Sequence, residues 1–114
     1  MIKNSAGYEM MVIFKPLLPD DVRKGAHQSI VALVKELRGK IKNADVWGKR
    51  YLSYPINGHD EGYYIVYELE LIPESLKDFR VKTSRISEVL RFLINRIDKP
   101  EELGSKLNKK VIEI

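Results

Sequence analysis

Leu76-Lys77-Asp78-Phe79-Arg80-Val81-Lys82-Thr83-Ser84-Arg85-Ile86-Ser87-Glu88-Val89-Leu90-Arg91-Phe92-Leu93-Ile94-Asn95-Arg96-Ile97 is the stretch on which the fold turns. Leu76, Phe79, Thr83, Ile86, Leu90, Leu93 and Ile97 keep a helical spacing from end to end. The second half also alternates like a strand, with Leu90, Phe92 and Ile94 on one face and Arg91, Leu93 and Asn95 on the other. Periodicity alone does not choose. The topology does: a third strand with no return partner would leave an awkward arrangement. The expectation is a helix to about Ser84 and a strand from about Val89.

The rest of the chain supplies the partners. Tyr8-Glu9-Met10-Met11-Val12-Ile13-Phe14 reads as a strand that ends at Lys15-Pro16. Tyr8, Met10, Val12 and Phe14 share one face, and Met11 and Ile13 lie on the other beside Glu9. A strand apolar on both faces belongs in the middle of a sheet. Pro19-Asp20-Asp21 starts a helix, where aspartate caps free amides and suits the positive end of the dipole. Val22, Ala26, Ile30, Leu33, Val34 and Leu37 form its apolar stripe, and Gly39 stops it. Lys40 to Tyr54 is a second extended segment, with Gly48 inside it as the mark of a bulge. Pro55-Ile56-Asn57-Gly58 is a turn. Gly62 to Ile72 is a third strand, with Tyr63, Ile65, Tyr67, Leu69 and Leu71 on one face and Tyr64, Val66, Glu68 and Glu70 on the other. Pro73 closes it, and Pro73-Glu74-Ser75 opens the second helix.

Strand, helix, strand, strand, helix, strand is the order of the split βαβ, ferredoxin-like fold of the α+β class. Strands one and three occupy the middle of its four-stranded antiparallel sheet, and both helices cover one face. The other face, with Met11, Ile13, Tyr64, Val66, Arg91 and Leu93, is expected to stay open as a contact surface. The domain covers residues 1–97, and 98–114 form a tail with Pro100 and Gly104. Val111, Ile112 and Ile114 at its end either dock or fray.

The composition bounds the function. At 114 residues the chain makes one domain, and 44% hydrophobic with 32% charged residues is ordinary for a soluble globular fold. The absence of cysteine excludes a disulfide scaffold, a thiolate metal site and a cysteine nucleophile. No apolar run is long enough to span a membrane, and Met1-Ile2-Lys3-Asn4-Ser5 lacks the core of a secretory signal, so the cytoplasm is the expected compartment. The net charge of +4 is unevenly spread. Residues 38–50 hold five basic groups and one acid; 80–99 hold six basic groups and two acids; 60–78 hold six acids and one lysine. Such a polar molecule has an end suited to phosphate, although charge runs also occur on plain solvated faces.

Six of the ten aromatic residues lie between Trp47 and Tyr67. Tyr63 and Tyr67 read as core, whereas Trp47, Tyr51 and Tyr64 stand between core and contact. Rings beside Lys49 and Arg50 suit stacking and phosphate contact. Trp47-Gly48-Lys49-Arg50-Tyr51-Leu52-Ser53-Tyr54-Pro55-Ile56, then Glu61-Gly62-Tyr63-Tyr64, resembles the central motif of the bacterial small-subunit ribosomal protein six (S-six) family. Tyr8-Glu9 resembles its opening and Val89-Leu90-Arg91-Phe92-Leu93 its last strand, so the likeness runs from about Tyr8 to Arg96. Ser53 stands where alanine is usual in that family and Tyr51 where a basic residue is common.

The resemblance implies the split βαβ fold and a structural, non-catalytic role in the small ribosomal subunit. It implies binding to the central domain of small-subunit ribosomal RNA together with a partner protein of the S-eighteen type. Lys49, Arg50, Arg91 and Lys42 are the expected RNA contacts. Trp47, Gly48, Tyr51, Tyr54 and Tyr64 are the expected partner contacts. No cofactor, metal, membrane or small-molecule substrate is expected.

Two other readings share the topology. An independent RNA-recognition module for single strands would use Gly62-Tyr63-Tyr64-Ile65-Val66-Tyr67, but Glu61 replaces the basic residue expected before the glycine. An acylphosphatase-like hydrolase needs a glycine-rich phosphate loop after strand one, and Lys15-Pro16-Leu17-Leu18-Pro19 has no glycine. His27 and His59 read as surface residues without a second ligand at metal spacing.

Overall fold

Nine residues, Ala6–Phe14, form strand β1, and the chain pairs with it on both sides. The structure, a computed structural model, describes residues 5–97, so the expected tail at 98–114 lies outside it. After β1 come α1 (Asp20–Glu36), β2 (Lys40–Ile56), β3 (His59–Leu71), a 3-10 turn at Pro73–Ser75, α2 (Leu76–Ser84) and β4 (Val89–Arg96). The sheet order is β2-β3-β1-β4, with every neighbouring pair antiparallel. The ambiguous stretch is thus helix then strand, and β1 and β3 are central.

Both helices lie on one side of this sheet. Tyr8, Met10, Val12 and Phe14 of β1, Tyr67, Leu69 and Leu71 of β3, and Ile94 of β4 meet Ala26, Ile30 and Val34 of α1 and Phe79 of α2 in one core. Burying each large side chain there contributes roughly 1.5–3 kcal/mol before ordering costs. Lys82 of α2 reaches Glu36 of α1 as well as Asp78, linking the helices at the surface.

Local chemistry departs from the sequence reading at three points. Pro19, not an aspartate, holds the N-cap position of α1, and no side chain caps it; Asp20 and Asp21 lie in the first turn, where they still complement the dipole. At the other end Arg38 takes the left-handed conformation (φ 61°) and the Gly39 amide donates to the Val34 carbonyl at 2.7 Å. Gly39 is needed for closeness instead: a Cβ there would lie 2.6 Å from the Glu70 carbonyl oxygen and 2.6 Å from Leu71 Cδ2. In β4 the register slips, since Ile13 pairs with Arg91 but Phe14 with Val89. The extra residue, Leu90, therefore leaves the face of Phe92 and Ile94 and packs on the opposite side.

The two helix-side glycines make opposite predictions. Gly39→Ala must push sheet backbone and is expected to lower stability by about 2 kcal/mol, within the range for overpacking. Gly25→Ala, in α1 with nothing within 4 Å of the added carbon, is expected to raise it by about 0.5–1 kcal/mol. Urea unfolding midpoints of the two variants check both signs.

Candidate nucleic-acid and protein interface

The second sheet face is not left bare. Met11, Ile13, Tyr64 and Val66 form their own buried cluster there, with Trp47, Leu52 and Leu90 packed against it. Leu90 of β4 adds to the cover, but most of it comes from β2, the long edge strand. Its pairing with β3 slips three times, between Ile41 and Asn43, between Val46 and Gly48, and between Tyr51 and Ile56. Each slip bends and twists the strand. A single turn then returns the chain, with Asn57 and Gly58 both at positive φ (49° and 81°), the pattern of a type I′ hairpin. Pro55 is tolerated because β2 is an edge.

The middle slip is built from Trp47-Gly48. Val46 pairs with Ile65 and Gly48 with Tyr64, so Trp47 is the extra residue. Gly48 has φ +81°, while the space beside it is empty. Glycine is therefore required here by conformation rather than by crowding. The bulge turns the indole onto the apolar cluster, and its Nε1 donates to Asp45 Oδ2 at 2.9 Å.

Beyond the bulge the side chains divide. Lys49 lies opposite Tyr63 on the helix side and pairs with Glu61 at 3.7 Å. Arg50 lies opposite Gly62 and faces the second sheet side. The structure thus separates these two expected RNA contacts. Arg91 projects from β4 opposite Ile13, and its Nη1 donates to the Tyr54 hydroxyl at 3.1 Å. Side chains from the two outermost strands meet across the sheet, with Leu52 packed on the face beneath. Tyr51 is 81% exposed and Tyr54 52%, so both rings are available to a partner. Tyr64, expected as a contact, is only 1% exposed; it is a floor residue that supports the others. Burial raises its phenol above the ordinary value, the Arg50 charge opposes this, and Tyr54 adds to it.

Lys42 lies at the far end of the same face, 3.6 Å from Glu70 and 4.0 Å from Glu68. Buried Glu9 pairs across the sheet with Glu68 on one side and Asn95 on the other. The face is therefore acidic at the Lys42 end, apolar in the middle and basic at the Arg50–Arg91 end. Beside β4 it opens a cleft of about 160 Å³, with Met11 and Ile13 as floor and Arg91 and Leu93 as rim. Sequence reasoning missed Leu52 and Leu90 as cover; Gly48 inside a strand was the only signal of the bend. It also placed His27 on the surface, whereas the ring is half-buried and bonded to Tyr67. No metal-binding group of side chains occurs among the described residues.

Three comparisons bear on this arrangement. Residues 7–96 match the family model described as Ribosomal protein S6. The small ribosomal subunit protein bS6 of Dictyoglomus turgidum is 33% identical over 94 residues, spanning 82% of this chain and 97% of that protein. Its counterpart in Caldanaerobacter subterraneus subsp. tengcongensis is 39% identical over 92 residues, spanning 80% and 96%. In fold, the chain is similar to the 30S ribosomal protein S6 of Thermotoga maritima, with a TM-score of 0.77 at 24% identity over 93% of this chain and 97% of that one. The C-terminal domain of the MgtC protein from Mycobacterium tuberculosis shares only the fold, at a TM-score of 0.59 and 13% identity. A model match across the whole described domain, joined by relatives above 30% identity over nearly their full length, means that the chain belongs to the ribosomal protein S6 family.

Proposed function

We propose that this chain binds the central domain of small-subunit ribosomal RNA jointly with a partner protein of the S-eighteen type, through the second sheet face and the curled end of β2. The coarser role needs no proposal: as a member of its family the chain is a structural constituent of the small ribosomal subunit in the cytoplasm and not an enzyme. No helix among the described residues is long and apolar enough to cross a membrane.

The observation that carries the finer reading is the group formed by Arg91, Tyr54 and Arg50 at one end of a buried apolar floor. Arginines there meet phosphates, and each neutralised phosphate releases counterions. Tyr51, Tyr54 and the outer ring face of Trp47 supply flat apolar area to a protein partner at little entropic cost. Gly48 holds that surface in shape. Lys49 contributes from the helix side of the strand, so the RNA would pass around the edge of β2. Lys42 contributes least, because two carboxylates already hold its charge. The single-strand recognition reading is disfavoured, since it needs exposed rings in the middle of the sheet and Tyr64 is buried there.

Two predictions follow different terms of this binding. In filter binding with the partner present, Arg50→Ala and Arg91→Ala should each lower the slope of log affinity against log salt by about one. Unchanged slopes would remove both residues from the RNA contact. Tyr51→Ala, at an exposed ring, should weaken association with the partner by about 1–3 kcal/mol while leaving the melting temperature of the isolated chain unchanged. Calorimetric titration and thermal melts measure the two quantities.

A further inference from the structure

On the helix side of the sheet, between α1 and β2, lies a cavity of about 300 Å³. Its floor is apolar, made by Ala44 and Val46 of β2 with Tyr63 and Ile65 of β3. Its roof carries Arg23, Lys24 and His27 of α1. Arg23 and His27 are four residues apart and so share a helix face.

Both of those side chains are held from behind. Arg23 Nη2 donates to Asp20 Oδ1 at 2.8 Å, and the guanidinium carbon lies 4.0 Å from the centre of the Tyr63 ring. The His27 ring stacks on Tyr67 with centroids 5.6 Å apart and planes at 12°, and Nδ1 is 2.7 Å from the Tyr67 hydroxyl. Burial pushes that phenol well above its ordinary range, so the hydroxyl keeps its proton as a hydrogen-bond partner. With Nδ1 engaged, Nε2 is the nitrogen left to meet a ligand. Lys24 is exposed, and among the described residues no carboxylate lies within ion-pair distance of it.

We propose that this cavity binds one nucleotide, its base stacked against the Arg23 guanidinium and its phosphate drawn to Lys24 and His27. The volume is at the lower end of what ligand pockets occupy, which suits a single base and not a larger cofactor. The Arg23 guanidinium carbon, 4.0 Å from the centre of the Tyr63 ring, sets a delocalised cation at the cavity wall, and a base that meets it adds to one pile. An ammonium and an imidazole beside that pile match a phosphate. A free nucleotide and an unpaired nucleotide within a strand present the same chemistry. The site lies on the opposite side of the sheet from the interface proposed above, and it stands or falls without that reading.

The test is a titration of the full chain followed by amide NMR, using uridine monophosphate, uridine, inorganic phosphate and a short oligouridylate, with no partner protein or ribosomal RNA. Uridine monophosphate or the oligonucleotide should move the resonances of Ala44, Val46 and His27, and uridine or phosphate alone should bind at least about tenfold more weakly. Saturation by the mononucleotide identifies free nucleotide as a sufficient source; saturation by the oligonucleotide alone identifies a strand. Lys24→Glu, at an exposed position, should weaken binding about tenfold, and Ala44→Phe should fill the cavity and abolish it. Resonances unmoved by both nucleotide probes, or titrations unaltered in both variants, would overturn the proposal.

Discussion

Two helices can cover only one side of a four-stranded sheet this wide, and β1 is apolar on both. Met11, Ile13, Tyr64 and Val66 therefore need a second cover, and leaving four such side chains in water would cost roughly 1.5–3 kcal/mol each. The chain meets this demand with its own edge strands, chiefly Trp47 and Leu52 of β2 with Leu90 of β4. Everything distinctive about the molecule descends from how β2 is bent to do so.

The bend depends on backbone freedom at one residue. Gly48 takes a left-handed conformation with open space beside it, so no packing argument requires glycine there and the conformational one does. Releasing Trp47 from the ladder lets the indole lie on the cluster, and the strand beyond it carries Leu52 onto the same floor. Tyr54 then reaches Arg91 from the far side of the sheet. One segment thus does two things: Trp47 and Leu52 close a core, while Arg50 and Tyr54 stay exposed on the same face and Tyr51 stays exposed toward the helix side. The edge that such a strand exposes is also blunted by its bulges and by Pro55.

The architecture was legible in the sequence because period and punctuation agreed. Pro73 and Gly39 mark ends, Asn57-Gly58 marks the hairpin, and the alternation of Tyr63 to Leu71 assigns both faces of β3 correctly. Even the ambiguous stretch from Leu76 resolved once topology was weighed against spacing. What could not be read was everything set by register slips. A bulge changes which face a residue meets without changing composition, so strict alternation puts Leu90 with Phe92 and Ile94 on the wrong side. The same blindness made the second face look bare, since nothing local announces that Leu52 folds back over it. His27 was misjudged for another reason: its partner, Tyr67, is forty positions away, and helix neighbours carry no trace of that bond.

Substituting Gly48 by valine tests the link between the bend and the role in the subunit. A β-branched residue is strongly disfavoured at that φ, so the bulge must relax. Partner-dependent binding of the central-domain RNA should then fall sharply while the far-ultraviolet dichroism of the helix-side core is kept. Wild-type affinity in that variant, with its fold intact, would contradict the view that the bent edge strand builds the interface.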